Sequence, residues 1–130
     1  MKMTFDELTS AVLMWAMERD ILKPETAKAQ MLKVMEEVGE TCRAILKGDK
    51  DGQKDGIGDA LVTLIILAQQ LGFTPQECLR AAWNEIKDRK GKTVGGTFIK
   101  ESDKPCACSV AKEPRRMDLA RVEKMKAGKA

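Results

Sequence analysis

Residues 60–68 have the sequence ALVTLIILA, and this run decides the fold because it is apolar on nearly every side of a helix. We predict one helix over residues 57–71, closed by Gly72. A helix that is apolar all round needs neighbours around its whole circumference, so it should be the most enclosed helix of the protein. Because few other helices are available to cover it, we expect part of that cover to come from a second subunit.

Two capping signals mark the starts of further helices. Thr4 with Glu7 fits a capping box, in which each residue's side chain bonds the other's backbone N–H, and Phe5 opens an apolar repeat behind it. Thr74 and Glu77 form the same signal, with proline at the first helical position. These signals predict a first helix that starts after Thr4 and a fourth helix that starts after Thr74. The apolar repeat predicts that the first helix ends near residue 18.

The remaining segments complete a helical pattern. An apolar repeat over residues 31–45 predicts a second helix that ends near Gly48, and a polar loop is predicted over residues 48–54. The fourth helix should stop near Gly91, and only residues 97–99 beyond it resemble a strand. Without β-α-β alternation, the predicted fold class is all-α, a bundle of four main helices that oligomerisation completes.

The composition limits the chemistry and the partners. The chain has 130 residues, 43% of them hydrophobic and 33% charged, and no histidine. The missing histidine excludes imidazole bases, histidine-activated nucleophiles and histidine-bound zinc. With 4% aromatic residues and no tyrosine, platforms for stacking nucleic-acid bases are not expected. The chain has neither an apolar run of membrane-spanning length nor a signal-like start, so we expect a cytoplasmic protein without a membrane partner.

The C-terminal residues differ from the rest in charge. Residues 104–130 contain eight Lys or Arg and three Asp or Glu, whereas residues 1–103 contain 15 basic and 17 acidic residues. We therefore predict a helical domain over 1–103 and a basic tail over 104–130, in which residues 114–126 have the spacing of a short helix. A solvated terminus is the simpler interpretation of the tail, and nucleic acid is not an expected partner. Cys106 and Cys108 form a Cys-x-Cys pair, which alone is a weak zinc signal.

Four bulky or sulfur-containing side chains fall on apolar helix faces. Cys42 and Cys78 occupy apolar positions of the second and fourth helices. Trp15 and Trp83 do so on the first and fourth helices, where they fit either the core or a slot for a base. We predict core positions for all four.

Two pairs of carboxylates interrupt the apolar patterns. Glu37 and Glu40 lie three residues apart, and Asp55 and Asp59 lie four apart, so each pair shares one helix face. If the second and third helices pack antiparallel, the pairs can face each other. Converging carboxylates repel unless a cation neutralises them, and oxygen ligands suit Mg²⁺ or Mn²⁺, which also bind substrate phosphates. The same residues also fit a solvated acidic face and a helix start favoured by its dipole, and spacing does not choose between the two.

Three blocks of sequence resemble the MazG-like nucleotide pyrophosphohydrolases, particularly the small forms common in phages. The blocks are MEEVGE at 35–40, DGIGDALV at 55–62 and AWNEIKDRKG at 82–91, and the resemblance extends over about residues 5–103. It implies an all-α NTP pyrophosphatase fold that assembles as homodimers or homotetramers. It also implies Mg²⁺-dependent hydrolysis of a ribo- or deoxyribonucleoside triphosphate to the monophosphate and pyrophosphate, by attack of water on the α-phosphorus.

The resemblance assigns metal ligands residue by residue. Glu37 and Glu40 match a Glu-x-x-Glu motif, and Asp59 matches the last residue of a Glu-x-x-Asp motif. Gly56 departs from the family, which commonly has glutamate there, and Asp55 is the nearby carboxylate that can substitute. The four carboxylates are thus the predicted metal ligands, and Glu37 and Glu40 the predicted catalytic residues, with Glu37 preferred as acceptor of the water's proton.

The fourth-helix block implies contacts with the nucleotide or its phosphates. The matching residues are Asn84, Lys87, Arg89 and Lys90. For Arg89 and Lys90, cations favoured by a helix C-terminus explain the sequence equally well. Two alternative functions stay open: the same fold acting on phosphoribosyl-ATP or a modified nucleotide, and a non-catalytic helical binding module, which the altered motif favours.

Overall fold

The computed structural model describes residues 2–103, which form four α-helices followed by a β-hairpin. The helices are α1 (Phe5–Glu18), α2 (Ala27–Lys47), α3 (Lys50–Gln70) and α4 (Pro75–Ile86). The hairpin consists of β1 (Gly91–Val94) and β2 (Thr97–Lys100), and short 3-10 turns occupy Pro24–Thr26 and Glu101–Asp103. The all-α, four-helix prediction is confirmed. The predicted basic tail over 104–130, with its short helix and its Cys-x-Cys pair, lies outside the described residues.

The chain divides into two compact units. The first, Met1–Lys87, contains all four helices, and the second begins at Asp88 and contains the hairpin. Within the first unit α3 contacts the other three helices, and its contact with α2 is by far the most extensive. In the described part of the chain, no single helix has the length and hydropathy to cross a membrane, and α3 and α4 reach those limits only together, across a 100° bend.

Both predicted capping boxes are present. The Glu7 carboxylate accepts the backbone N–H of Thr4 at 2.6 Å, and Thr4 Oγ1 accepts the N–H of Glu7. Thr74 and Glu77 make the same pair of bonds at the start of α4. Hydrogen bonds that the threonines donate to the carboxylates lower the pKa of Glu7 and Glu77, and the bond from the backbone N–H has the larger effect. Their contribution to stability is therefore complete above the ordinary glutamate pKa and is lost as the pH falls through the lowered values.

The connection between α2 and α3 is much shorter than the predicted loop over 48–54. Gly48 ends α2 with a left-handed φ of 69°, and Asp49 caps α3 through Oδ1, which accepts the N–H of Gly52 at 3.1 Å. The third helix therefore begins about two turns before residue 57, and that predicted start is wrong. The glycines at 52 and 56 suggest a loop in isolation, but both are inside α3, where a side chain would meet α2 or the cap.

The chain after α4 also departs from prediction. Helix α4 ends at Ile86, about one turn before the predicted end near Gly91. Residues 97–99 do form a strand, but they pair antiparallel with β1, which was not predicted. Gly95 and Gly96 have φ values of 56° and 79°, the conformation that a two-residue hairpin turn requires. A small β-element therefore follows the helices.

The core that one chain builds for itself is small. Its buried apolar residues, among those described, are Ala16, Val34, Ile65 and Ile66. Trp15 and Trp83 are 45% and 57% exposed, and Cys42 and Cys78 are exposed as well. The prediction that these four belong to the core is wrong for the single chain, because helical periodicity identifies an apolar face without identifying what covers it.

Candidate active site

The two long helices pack side by side in antiparallel directions. Far from their connection, Gln30 Nε2 donates a hydrogen bond to the Thr63 carbonyl at 3.0 Å. Nearer to it, Gly56 is buried directly against Thr41: a Cβ on Gly56 would lie 2.4 Å from Thr41 Oγ1 and 3.1 Å from its Cα. This contact sets how closely the two helices approach. The two contacts together show antiparallel packing, the condition under which the carboxylate pairs can face each other.

A hollow of about 340 Å³ opens along this contact. Its lining residues come from both helices and the turn between them: Glu40, Arg43, Ala44, Lys47, Asp49, Gly52, Asp55, Gly56 and Asp59. The charged lining residues of α2 follow one another at spacings of three and four, and each lining residue of α3 has another three or four residues away, so each helix presents one face to the hollow. Charged groups of both signs therefore surround one space.

Three of the four predicted metal ligands, Glu40, Asp55 and Asp59, line this hollow. Glu37 does not: its side chain is 13% exposed, and its carboxylate lies 3.6 Å from Lys33 Nζ. One turn separates Glu37 from Thr41, so it lies on the side of α2 that packs on α3. One predicted ligand from α2 and two from α3 therefore line the same hollow, and Glu37 does not.

Position 56 explains the departure from the Glu-x-x-Asp motif. Thr41 fills the space into which any side chain at Gly56 would extend, so a glutamate fits only if α2 and α3 move apart. Asp55, one residue earlier, is exposed and lines the hollow without entering the helix contact. The chain therefore has a carboxylate near this position, on a different side of α3.

The oxygen donors of the hollow suit a hard divalent cation in kind. Among residues 2–103, no three Asp, Glu or Cys side chains converge closely enough to hold a metal ion. Glu40, Asp55 and Asp59 are exposed, so their side chains have space to change rotamer. The residues fit Mg²⁺ by donor type, and coordination of one ion would require rotations that bring the carboxylates together.

The predicted nucleotide-binding residues lie outside the hollow. Asn84 and Lys87 are exposed and lie three residues apart at the C-terminal end of α4. Arg89 and Lys90 belong to the second unit, in which Lys90 lines a separate hollow of about 390 Å³. That hollow is lined by Lys90, Gly91, Lys92, Val94, Ile99, Lys100 and Glu101. Three lysines and a single carboxylate do not make a metal site.

Sequence reasoning missed the lining carboxylate of Asp49. It also missed both lining cations, Arg43 and Lys47. They follow Glu40 by three and seven residues, so the spacing that grouped the carboxylates also places these cations on the Glu40 face of α2. The metal-ligand prediction rested on converging carboxylates alone, and it therefore did not include the two cations.

Comparison with known proteins agrees with the resemblance noted in the sequence. Residues 25–94, more than half of the chain, match the MazG nucleotide pyrophosphohydrolase domain, and the protein belongs to this family. The chain is also 39% identical over 64 residues to an uncharacterized 18.2 kDa protein in the rep-hol intergenic region of Haemophilus phage HP1 (strain HP1c1). That alignment covers 49% of this chain and 39% of the phage protein, so the chain spans well under two thirds of its relative. No solved structure gives a significant match.

Proposed function

We infer that the protein hydrolyses a ribo- or deoxyribonucleoside triphosphate to the monophosphate and pyrophosphate, with Mg²⁺ or, in its place, Mn²⁺. Family membership supports the reaction class. The observation that carries the proposal is the hollow between α2 and α3, which Glu40, Asp55 and Asp59 all line. Carboxylate oxygens are the ligands of divalent ions that bind substrate phosphates.

The proposed reaction is an in-line displacement at the α-phosphorus. The water oxygen bonds to the α-phosphorus, the bond from that phosphorus to the α–β bridging oxygen breaks, and the bridging oxygen leaves with the electron pair as part of pyrophosphate. The Glu37 or Glu40 carboxylate accepts the water's proton. Mg²⁺, when bound, supplies neutralisation of the triphosphate charge. Glu37, Glu40, Asp55 and Asp59 are the residues proposed to hold it.

The test is pyrophosphate release across the common ribo- and deoxyribonucleoside triphosphates, with Mg²⁺, Mn²⁺ or a chelator. We expect hydrolysis of at least one of them with metal and none with the chelator. Glu40→Ala and Asp59→Ala should each lower the rate more than about 100-fold, because each removes a metal ligand. Asp51→Ala removes a carboxylate of α3 that lies outside the hollow, so it is the matched control for Asp59→Ala. Retained activity in both ligand variants, with an unchanged helical circular-dichroism signal, would contradict the proposal.

We further propose that Asn84, Lys87, Arg89 and Lys90 bind the nucleotide or its phosphates. Lys87, as a flexible point charge, would offset phosphate charge. Replacing Asn84 or Lys87 should raise KM with little change in metal binding, whereas an unchanged KM in both variants would contradict this assignment.

The proposed active form is a homodimer or homotetramer. Leu61 and Leu64 of α3 are 43% and 46% exposed, and Trp83 of α4 is 57% exposed. Apolar surface of this kind is usually covered in a stable protein. Light scattering should give a mass that is a multiple of the 14.4 kDa chain, whereas a monomer at micromolar concentration would contradict the proposal.

One structural observation favours the alternative of a non-catalytic binding module. Gly56 has no space for the glutamate that the family commonly places there. Thermal unfolding with Mg²⁺ and non-hydrolysable nucleotides separates the two functions, because a ligand that binds the folded state raises the melting temperature. No shift with any nucleotide would favour the module, whereas a shift with phosphoribosyl-ATP or a modified nucleotide alone would favour those substrates.

A further inference from the structure

The hollow between α2 and α3 contains more than the carboxylates that a metal requires. Of its four carboxylates, Asp49 caps α3 by accepting the N–H of Gly52. Arg43 and Lys47 line the hollow beside the other three, Glu40, Asp55 and Asp59, so two cations and three anions without a capping role share one space. Within the described part of the chain, none of these five side chains makes an ion pair or a hydrogen bond with another side chain. Opposite charges that face one space without pairing leave their charge available to a ligand.

A helix-end effect does not account for both cations. Lys47 is the last residue of α2, where the helix dipole favours a positive charge. Arg43 lies a full turn earlier, where that effect has largely decayed. Its place at the hollow follows from the spacing to Glu40, which puts it on the same face of α2.

The charges that line the hollow from α2 are also ordered along that helix. Lys47 and Arg43 lie toward the connection between α2 and α3, and Glu40 lies farther from it. Seven residues separate Lys47 from Glu40, about 10 Å along the axis. A ligand with a divalent cation at one end and phosphate oxygens at the other matches this order of charge.

We propose that Arg43 and Lys47 bind the β- and γ-phosphates of the substrate, which become the leaving pyrophosphate. This assignment rests on the proposed function and adds a second set of contacts to the same hollow. As the bond between the α-phosphorus and the bridging oxygen breaks, negative charge grows on the pyrophosphate that the two side chains contact. Their interaction is therefore stronger in the transition state than in the bound substrate, and it contributes to kcat as well as to binding.

The two parts of the hollow should respond oppositely to the loss of positive charge. Arg43→Gln and Lys47→Gln keep much of each side-chain stem and good helix propensity but remove the charge. Each should weaken binding of pyrophosphate in the presence of Mn²⁺ about ten-fold, because a charge-assisted bond to phosphate is lost. Each should tighten binding of Mn²⁺ alone, because a cation beside the carboxylates has gone. A merely structural role for the two residues predicts no such opposite pair of changes.

Isothermal titration of the full chain with Mn²⁺, and then with pyrophosphate in saturating Mn²⁺, measures both effects without turnover. Lys54→Gln, on α3 but outside the hollow, is the matched control and should leave both affinities unchanged. Arg43→Lys should recover part of the pyrophosphate affinity. Pyrophosphate binding equal to wild type in both glutamine variants would overturn the inference while the proposed function stands. A wild-type protein that binds neither Mn²⁺ nor pyrophosphate would overturn the proposed function itself.

Discussion

The two halves of α3 differ in composition and in the surfaces that they contribute. Residues 50–59 contain three glycines and three aspartates, whereas residues 60–70 contain no charged residue. The first half approaches α2 closely through Gly56 and lines the hollow. The second half supplies Ile65 and Ile66 to the small core and leaves other leucines exposed. One helix thus separates the candidate chemistry from the surface available for assembly.

The largest effect is expected where the first half touches α2. Gly56→Ala should destabilise the fold by about 1–3 kcal/mol, because the new Cβ would overlap Thr41, and Gly56→Glu should cost more. Gly58→Ala is the matched control: no atom lies within 4 Å of its Cβ position, so it should stabilise by about 0.5–1 kcal/mol through helix propensity. Thermal or urea unfolding measures the change in the free energy of unfolding for both variants, and so gives the sign of each change. If Gly56→Ala proves as stabilising as Gly58→Ala, the close contact between α2 and α3 is not as described.

The second half offers a test of assembly. Replacing Leu61 and Leu64 together with glutamine should shift the proposed oligomer toward the monomer at micromolar concentration, because it removes apolar surface from one side of α3. Sedimentation velocity measures the shift. Gln69→Glu changes an exposed residue of the same half without removing apolar surface, and should keep the wild-type mass. An unchanged mass in the double variant would place the interface on other helices.

The smallest effect concerns the residue that starts α3. Asp49 lines the hollow and also caps the helix, so its role is ambiguous from position alone. We expect Asp49→Ala to cost about 1 kcal/mol, seen as a lower melting temperature, and Asp49→Ser to remain close to wild type because serine is also a good cap. Both variants should keep Mn²⁺ affinity. A loss of that affinity in Asp49→Ser would show that Asp49 is a fifth carboxylate of the site.

The sequence predicted the parts of the molecule whose physics is local. Capping by Thr4 and Thr74 depends on residues three positions apart, and the stop at Gly48 depends on one backbone conformation. Both were predicted correctly. The start of α3 was not, because Gly52 and Gly56 favour a loop until α2 is packed against them.

For the candidate site too, the sequence predicted what depends on local spacing and did not predict what depends on packing. Helical spacing with antiparallel packing predicted that Glu40 and Asp59 would lie near each other, and both line the hollow. Helical spacing did not show that Thr41 packs directly against Gly56, because that contact depends on the distance between two helices. The exposure of Trp15 and Trp83 could not be predicted from the sequence either, since burial depends on every neighbour, including those from another chain.

The short turn at Gly48 and Asp49 has a consequence for folding kinetics. All residues that line the hollow lie between Glu40 and Asp59, so only a short loop must close to bring them together. Short closures cost little chain entropy, and contacts between residues near in sequence form early. We therefore expect the α2–α3 pair to be formed in the transition state for folding. Mn²⁺ should then accelerate refolding in stopped-flow experiments as well as slowing unfolding, because the carboxylates assemble before folding is complete.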